Sequence, residues 1–312
     1  DFENAQPGDE FWDEEQDRWF YFQTSGKKVK ADDDDTLKTK TINGRKYGFD
    51  EYGRMIGNWF SEATVTDGDG TGYVTVKEDG KEVVKAASQG DADYSSSFMY
   101  FSNPEDGALV SKGWFKVIPG YYLHESKYND GDEYWYYADG DGDLYANVIK
   151  TIKGKKYAFD GYGRMIDGLA LLRMETKSNG KYESSVIAEK IADDTTGYEY
   201  DTEENFDDTV FNHADELTTG AIRFFYFGDS DDGAMKTGKQ TVTIDGDNFT
   251  FKFKDSSSSK GVAIHGEDDD KLYNGGKLIK AHSDDKYKVV EYVTKKDAEG
   301  KVSEIAMRTM DT

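Results

Sequence analysis

The sequence predicts an all-β protein: an elongated solenoid of stacked β-hairpin repeats, with further β-hairpins inserted between them. The first observation behind this prediction is a recurring unit, in which an aromatic strand is followed shortly by Gly-x-Met or Gly-x-Leu. The second is its period, since Tyr137 and Phe159 are 22 positions apart and Phe227 and Phe251 are 24 apart. The third is the use of glycine for turns, with 33 glycines against three prolines in 312 residues. A period of this length is typical of repeat proteins, in which each unit contacts mainly its neighbours.

Each repeat is expected to be a hairpin, because aromatic residues favour strands and Asp-Gly pairs suit the positive φ angles of tight turns. Within residues 135–144, an aromatic run leads into Asp139-Gly-Asp-Gly-Asp143, which we interpret as a hairpin turn. A single hairpin is marginal in water, so neighbouring hairpins are expected to stack on their aromatic faces. The unit recurs at residues 19–26, 47–55, 98–109, 134–144, 157–165, 224–235 and 272–278.

Three further hairpins are predicted outside the repeats, where polar and apolar residues alternate on both sides of a turn. The first turns at Asp79-Gly80, the second at Asn179-Gly180 and the third at residues 297–300. The acidic segments that are predicted to be irregular loops are 1–16, 31–36 and 193–216, the last followed or overlapped by one helical turn near 211–217.

These signals divide the chain into six segments. They are an N-terminal segment with the first repeats at 1–60, an inserted hairpin at 61–97, central repeats at 98–169, an inserted hairpin with an acidic loop at 170–222, C-terminal repeats at 223–282 and a terminal hairpin at 283–312.

The repeats resemble the cell-wall-binding repeats of Gram-positive surface proteins, whose unit contains Gly-Trp, then Trp-Tyr-Tyr-Phe, then Gly-x-Met-x-Thr-Gly. Choline-binding modules, the glucan-binding regions of glucosyltransferases and the C-terminal repeats of large clostridial toxins share this unit. Residues 39–50 and 233–240 match it closely, and the resemblance covers roughly residues 17–60, 98–169 and 223–282. It implies a hairpin solenoid that binds a cell-wall or other carbohydrate polymer.

The resemblance also implies where a ligand would bind. In choline-binding members, a tryptophan about four residues after the methionine forms a cation cage with aromatic rings of the neighbouring repeat, because ring faces attract quaternary ammonium groups. The ligand-binding candidates are Trp114, Tyr121, Tyr122, Trp135 and Trp59. The alternative is that Trp114 and Tyr122 only hold adjacent hairpins together, since buried aromatic residues dominate small cores. The residues at the same position in the other copies are Asp33, Val148, Leu169, Lys239 and His282.

Charge and composition restrict the partners. The net charge of −24 argues against nucleic acid, whose binding depends on basic side chains. No run of 18 apolar residues occurs, so no membrane insertion is expected. The chain has no cysteine, which excludes disulfides and cysteine-ligated metals. A hydrophobic share of 36% with 14% aromatic residues suits a core of aromatic rings on short strands.

One segment has the spacing of a calcium loop. Asp67, Asp69, Thr71 and Glu78 match the EF-hand template, in which alternate oxygen ligands and a final glutamate surround the ion. The flanking residues favour strands rather than helices, so a plain turn is the alternative and no cofactor is expected apart from this calcium candidate. The four histidines are isolated in sequence, and no nucleophile motif occurs, so the chain is not expected to be an enzyme.

The favoured hypothesis is a secreted, non-catalytic attachment module that recognises a cell-wall or other extracellular glycan polymer through aromatic sites between repeats. Its expected location is outside the cell or on the cell wall. The rival hypothesis is a structural or adhesive spacer, in which the repeats only stack and the inserted hairpins bind a protein partner.

Overall fold

The computed structural model describes residues 18–32, 36–65, 72–78, 81–191, 199–296, 300 and 302–310. The chain divides into two compact units, Asp1–Ala146 and Asn147–Thr312, which are described separately below. The described residues are mostly β, in small antiparallel sheets with a few short helices, as the sequence predicts. The elongated solenoid and the division into six segments stay predictions.

The first unit contains short sheets of two or three strands. Its pairs are β1 with β2, β3 with β7 and β8 with β9, and β4, β5 and β6 form a three-stranded sheet. Its elements are β1 Lys38–Ile42, β2 Arg45–Phe49, β3 Asn58–Ser61, β4 Thr64–Val65, β5 Gly72–Glu78, β6 Lys81–Ala87, α1 Ala92–Ser96, β7 Phe98–Phe101, β8 Gly113–Val117, α2 Glu125–Asp130 and β9 Tyr134–Ala138.

The second unit has two five-stranded sheets and a terminal two-stranded one. The sheet orders are β11-β10-β13-β12-β14, β15-β16-β19-β18-β17 and β20-β21. The elements are β10 Val148–Ile152, β11 Lys155–Phe159, β12 Leu169–Thr176, β13 Tyr182–Ile191, α3 Glu203–Asn212, α4 Ala214–Thr219, β14 Ile222–Tyr226, β15 Gly238–Ile244, β16 Asp247–Phe253, β17 Gly266–Asp268, β18 Lys271–Asn274, β19 Lys277–Leu278, β20 Val289–Lys296 and β21 Val302–Met310.

In four repeats the aromatic strand pairs with the strand before it, as β2 with β1, β9 with β8, β11 with β10 and β16 with β15. The aromatic strands β7 and β14 pair instead with β3 and β12, from which other strands separate them in sequence. Residues 139–143 form the predicted turn, but the strand that follows the turn is short. After the turn, only one bridge returns, from Leu144 to Ala138. The same single bridge joins Met55 to Phe49 and Met165 to Phe159. Because the strand after the turn is short, β9 pairs along its length with β8 instead.

Consecutive repeats make the same methionine–glycine contact in both units. In the first unit, a Cβ added to Gly107 would lie 2.3 Å from Cε of Met55, so the methionine of one repeat rests on the glycine of the next. In the second unit, a Cβ on Gly233 would lie 2.2 Å from Sδ of Met165. Only glycine leaves room for this approach, and both positions also have positive φ, at 62° and 56°. The Gly-x-Met motif therefore encodes contact between repeats as well as a turn.

Polar contacts between the same pairs of repeats also match in the two units. The backbone N–H of Leu109 donates to the carbonyl of Lys46 at 2.8 Å, and Met235 donates to Lys156 at 2.8 Å. Arg45 forms an ion pair with Asp106, and Lys155 forms one with Asp232 at 3.6 Å. In sequence, an inserted hairpin separates the two repeats that make each contact, β5–β6 in the first unit and β12–β13 in the second. The contact therefore forms in spite of the insertion.

The inserted and terminal hairpins are confirmed. Strands β5 and β6 pair on either side of residues 79–80, β12 and β13 pair on either side of the Asn179-Gly180 turn, and β20 pairs with β21. The middle hairpin is larger than expected, because β14 and β10 extend it into a five-stranded sheet.

The prediction of an irregular loop at 193–216 is wrong for its second half. Helix α3 begins after Thr202, whose side chain accepts from the Asn205 backbone N–H at 3.2 Å. Acidic residues at a helix N-terminus are stabilised by the helix dipole, so the acidity that suggested a loop favours this helix start. The apolar residues Phe206 and Val210, one turn apart, are fully buried. Residues 192–198, 1–17 and 33–35, which fall in the predicted loops, lie outside the described residues.

Candidate functional site

The hairpin of β8 and β9 has two faces of different character. Phe115 pairs with Tyr136, and both side chains point into the core of the first unit, where their rings stack with centroids 5.6 Å apart. Trp59 joins this cluster, with its ring 5.1 Å from Tyr136 and 5.7 Å from Phe115. Because side chains alternate along a strand, the neighbouring residues of the hairpin point to the opposite face.

That opposite face carries four aromatic rings, which we call the aromatic face: Trp114, Trp135, Tyr137 and Tyr145. The Trp114 ring stands edge-on to Tyr137 at 5.1 Å and to Trp135 at 6.3 Å. Tyr137 and Tyr145 stack almost in parallel, at 5.3 Å and 9°. All four side chains are only partly buried, so ring surface remains accessible to solvent within this unit.

A cation already uses part of the aromatic face. The Lys116 ammonium lies 5.7 Å from the centre of the Trp135 ring. Lys116 pairs with Trp135 across the hairpin, so the contact follows directly from the strand register. Trp135 is therefore a ring of this face that attracts a positive charge from within the chain.

The surroundings of the aromatic face are acidic. Burial, followed by the negative charges of Asp139 and Asp141, raises the pKa of Asp143 from 3.8 to about 6. Burial, followed by the charge of Asp139, also raises the pKa of the Tyr145 hydroxyl. The turn next to the aromatic face thus presents carboxylates, whereas the only basic group of the hairpin strands themselves, among the described residues, is Lys116.

Trp59 serves packing rather than a shared site with Trp114. Its indole N–H donates to the backbone carbonyl of Ile118 at 2.9 Å, and its ring also lies 5.2 Å from Tyr100. A Cβ on Gly120 would lie 3.1 Å from the indole. The indole thus lies between strands and a loop, which is the holding role that the sequence left open as an alternative for Trp114.

Tyr121 and Tyr122 belong to a third group of rings, on the loop that joins β8 to β9. Tyr121 stands edge-on to Tyr122 at 5.3 Å and to Tyr128 at 5.6 Å. The structure thus distributes the five candidate residues over three environments: Trp114 and Trp135 share the aromatic face, Trp59 packs against the core cluster, and Tyr121 and Tyr122 lie on the loop. Ligand binding by these residues stays a prediction.

Two residues of the aromatic face, Tyr137 and Tyr145, were not predicted as site residues. The two-residue alternation of a strand could have indicated Tyr137, because it lies two positions after Trp135. Tyr145 gave no such signal, since its place beside Tyr137 depends on the tight turn at 139–143.

The calcium candidates remain a prediction. Asp67, Asp69 and Thr71 lie outside the described residues, and only the backbone of Glu78 is described, as the end of β5. Among the described residues, no group of three or more acidic or histidine side chains is placed to hold a metal ion. No helix in the described part of the chain is long and apolar enough to cross a membrane.

Comparison with known proteins gives weak similarities. No family model matches the chain, and no curated protein matches it in sequence. Among solved structures, the modular autolysin LytC from Streptococcus pneumoniae is similar at 15% identity and a TM-score of 0.30, over 92% of this chain. Choline binding protein F from Streptococcus pneumoniae is similar at 14% identity and a TM-score of 0.27, over 93% of this chain and 94% of that one.

A third similar structure is CbpJ from Streptococcus pneumoniae, at 15% identity and a TM-score of 0.25, over 92% of this chain and 94% of that one. The chain covers 45% of the length of the autolysin.

Proposed function

We propose that this chain is a secreted, non-catalytic attachment module that binds a cell-wall or other extracellular carbohydrate polymer through the aromatic face. The partly exposed rings of Trp114, Tyr137 and Tyr145 would contact the ligand. Ring faces contribute dispersion and apolar contact to a sugar, and they attract an ammonium group if the polymer carries one. This binding needs no cofactor.

The observation that carries the proposal is a comparison with the hairpin of β15 and β16 in the second unit. Each hairpin begins at a glycine, Gly113 or Gly238, and pairs its strands in the same register. Position by position, the residues that correspond to Trp114, Tyr137, Trp135 and Tyr145 are Lys239, Lys252, Thr250 and Ile264.

The hairpin therefore forms without outward aromatic rings. Inward positions keep large rings in both hairpins, as Tyr136 and Phe251, and both of these are fully buried. If the outward rings served only to fold the strand pair, the second hairpin would need them as well. Their absence from the second hairpin favours a recognition role for the aromatic face.

The rival function, a structural or adhesive spacer, has its own supporting observation. Lys252 forms ion pairs with Asp268 and Asp269 on the second hairpin, so that outward face is committed to charged contacts within the chain. Trp59, the other retained tryptophan, packs against the core cluster of the first unit. A chain that used every repeat for ligand binding would not show these two features, and the proposal accordingly assigns binding to one face.

The test is a sedimentation assay of the full chain with purified peptidoglycan, an insoluble glucan and a choline-bearing resin. We expect Trp114→Ala to weaken binding to the preferred polymer about fivefold, which corresponds to about 1 kcal/mol for one ring contact. The matched control is Lys239→Ala, at the equivalent position of the other hairpin, which should bind like the unchanged protein.

The fold of each variant is checked by its thermal unfolding. Polymer binding that Trp114→Ala leaves unchanged, or unfolding of Trp114→Ala at room temperature, would assign Trp114 a packing role. Either result would favour the spacer function. Failure of all three matrices to retain the protein would favour it as well.

A further inference from the structure

The loop that joins β8 to β9 is much longer than its counterparts. Residues 118–133 connect these strands, whereas residues 43–44, 153–154 and 245–246 connect the other three repeat hairpins. The segment includes the short helix α2, so it is an inserted element of this hairpin and not merely a longer turn. We call residues 118–133 the tyrosine loop.

The backbone of the tyrosine loop is held to the body of the first unit. The Tyr94 hydroxyl donates to the carbonyl of Tyr122 at 3.0 Å, and the indole N–H of Trp59 donates to Ile118. The side chain of Gln89 accepts from the Glu125 backbone N–H at 3.1 Å. Leu123, a residue of the loop, is itself fully buried. These contacts fix the position of the loop without using the tyrosine rings that it carries.

Three of those rings point outward. Tyr121, Tyr122 and Tyr128 are 38%, 44% and 46% exposed. Tyr121 is nearly perpendicular to both of the others, at 86° and 89°. Perpendicular rings offer a corner rather than a shared flat platform, so they suit a compact group that contacts several ring surfaces at once. A flat sugar ring would stack on only one of them.

The charge of the tyrosine loop is negative. It contains four carboxylates, Glu125, Asp130, Asp132 and Glu133, and one lysine, Lys127. Lys127 pairs with Asp130 at 2.8 Å. The Tyr121 hydroxyl donates to Glu125 Oε1 at 2.8 Å, which places a carboxylate at the edge of the corner. This hydrogen bond and the charge of Glu125 raise the pKa of the Tyr121 hydroxyl.

We propose that the tyrosine loop is a second recognition surface, on which Tyr121, Tyr122, Tyr128 and Glu125 dock a basic segment of a partner protein. Lysine ammonium or arginine guanidinium groups would contact the tyrosine rings by cation–π interaction and would pair with the Glu125 carboxylate. Tyrosine-rich loops suit protein recognition, because a tyrosine buries a large area at low cost in side-chain entropy. This surface is separate in its residues from the aromatic face, so it adds a protein partner to the proposed polymer.

The test uses the full chain and a fluorescent synthetic peptide of alternating arginine and glycine, with a peptide of alternating glutamate and glycine as its counterpart. Fluorescence anisotropy at physiological salt should show binding of the arginine peptide only. Replacing Tyr121, Tyr122 and Tyr128 together by alanine should weaken it about tenfold, and Glu125→Gln should weaken it several-fold.

Two matched controls separate this surface from the general acidity of the chain. Tyr292→Ala removes a tyrosine that is 51% exposed and lies outside the loop, and Glu105→Gln removes an exposed carboxylate of the first unit. Both should leave the affinity for the peptide unchanged, and so should Trp114→Ala. Failure of the proposed polymer binding would therefore not affect the peptide result, and the reverse also holds.

Hydrogen exchange of the unchanged protein gives a readout that does not depend on any variant. The peptide should slow exchange in residues 118–133. Unchanged exchange there, equal affinity of the triple variant, or absence of peptide binding would each overturn the proposal. Loss of polymer binding in the triple variant, with peptide affinity unchanged, would instead assign the loop to the polymer site.

Discussion

Two turns of the first unit are closed by the same backbone hydrogen bond and have opposite electrostatics. In the turn at 50–54, the backbone N–H of Asp50 donates to the carbonyl of Arg54 at 3.0 Å, and in the turn at 139–143, Asp139 donates to Asp143 at 2.9 Å. In both, the first aspartate accepts backbone N–H groups of the turn with its Oδ1 atom. The fourth residue after it is arginine in one turn and aspartate in the other.

The charge of this fourth residue decides whether it attracts or repels the first aspartate. Arg54 forms an ion pair with Asp50, whereas burial and the charge of Asp139 raise the pKa of Asp143 to about 6. The second unit repeats the arginine version, with Arg164 paired to Asp160 at 2.8 Å. The comparison teaches that the first aspartate specifies the turn, while the residue four positions later only sets its charge.

The largest effect is expected when the first aspartate is removed. Asp160→Ala deprives the backbone N–H groups of Tyr162 and Arg164 of their acceptor and leaves the Arg164 guanidinium without this partner. We expect a loss of about 3 kcal/mol in the free energy of unfolding, because the carboxylate is buried and breaking such a pair is costly. Chemical denaturation in urea would measure it.

Two variants sharpen this result. Asp50→Ala should cost less, since the Asp50 side chain is 20% exposed against 7% for Asp160. Arg164→Ala should also cost less, because the backbone hydrogen bonds of the turn remain. Equal losses for Arg164→Ala and Asp160→Ala would show that the ion pair, not the aspartate alone, specifies the turn.

The next largest effect concerns the strand before the arginine turns. Gly48 in β2 corresponds to Ala158 in β11, two residues before the first aspartate in each copy. A Cβ on Gly48 would lie 2.7 Å from Cε1 of Phe101, whose ring is fully buried. We expect Gly48→Ala to cost about 2 kcal/mol through overpacking, and Ala158→Gly to cost about 1 kcal/mol.

Thermal unfolding of both variants would check this prediction. Adding Phe101→Leu to Gly48→Ala should recover part of the loss, because it shortens the side chain that the new methyl group meets. If Gly48→Ala leaves thermal unfolding unchanged, the Phe101 ring does not explain why this copy has glycine where the other copy has alanine.

These turns and strands show which features a sequence can specify. The hairpins at Asn179-Gly180 and at residues 79–80 were predicted correctly, because their signals are local: alternation on both sides and a turn dipeptide between them. The pairing of β9 with β8 was not predicted, because the choice between β8 and the short return strand is made by contacts distant in sequence. Helix α3 was missed because its stability depends on burial of Phe206 and on the ion pair of Lys277 with Asp207 at 2.8 Å.

The candidate site divides in the same way. The sequence indicated aromatic residues of the right kind at Trp114 and Trp135, and their rings are in contact. It could not indicate which face of the hairpin Trp59 approaches, since a strand pattern gives alternation but not the direction of the core. Nor could it separate Tyr121 and Tyr122 from Trp114, because family spacing does not show that residues 118–133 form a loop with its own anchors.

A smaller effect is expected from giving the acidic turn the charge of the other two. Asp143→Arg places a guanidinium where Arg54 and Arg164 stand, next to the Asp139 carboxylate. We expect a gain of about 1 kcal/mol at pH 7 after allowance for solvent screening, since a repulsion is replaced by an attraction. The matched control is Asp141→Arg, two residues earlier and exposed, which should change urea unfolding much less.

The smallest effect is the pH dependence of the same carboxylate. The pKa of Asp143 is about 6 in the folded chain against an ordinary value of 3.8, so the folded state binds its proton more tightly than the unfolded state does. The free energy of unfolding should therefore fall as pH rises from about 4 to about 6 and should change no further above that range because of this group. The Asp143 side chain is only partly buried, and solvent screening limits the change to below about 1 kcal/mol. Many other carboxylates titrate in the same range, so the measurement is the difference between the unchanged protein and Asp143→Asn, unfolded in urea at several pH values.

Asp143→Asn should be the more stable of the two at pH 7, and its advantage should shrink towards pH 4. An advantage that stays constant from pH 4 to pH 7 would mean that Asp143 is not held in the environment that separates this turn from the arginine turns.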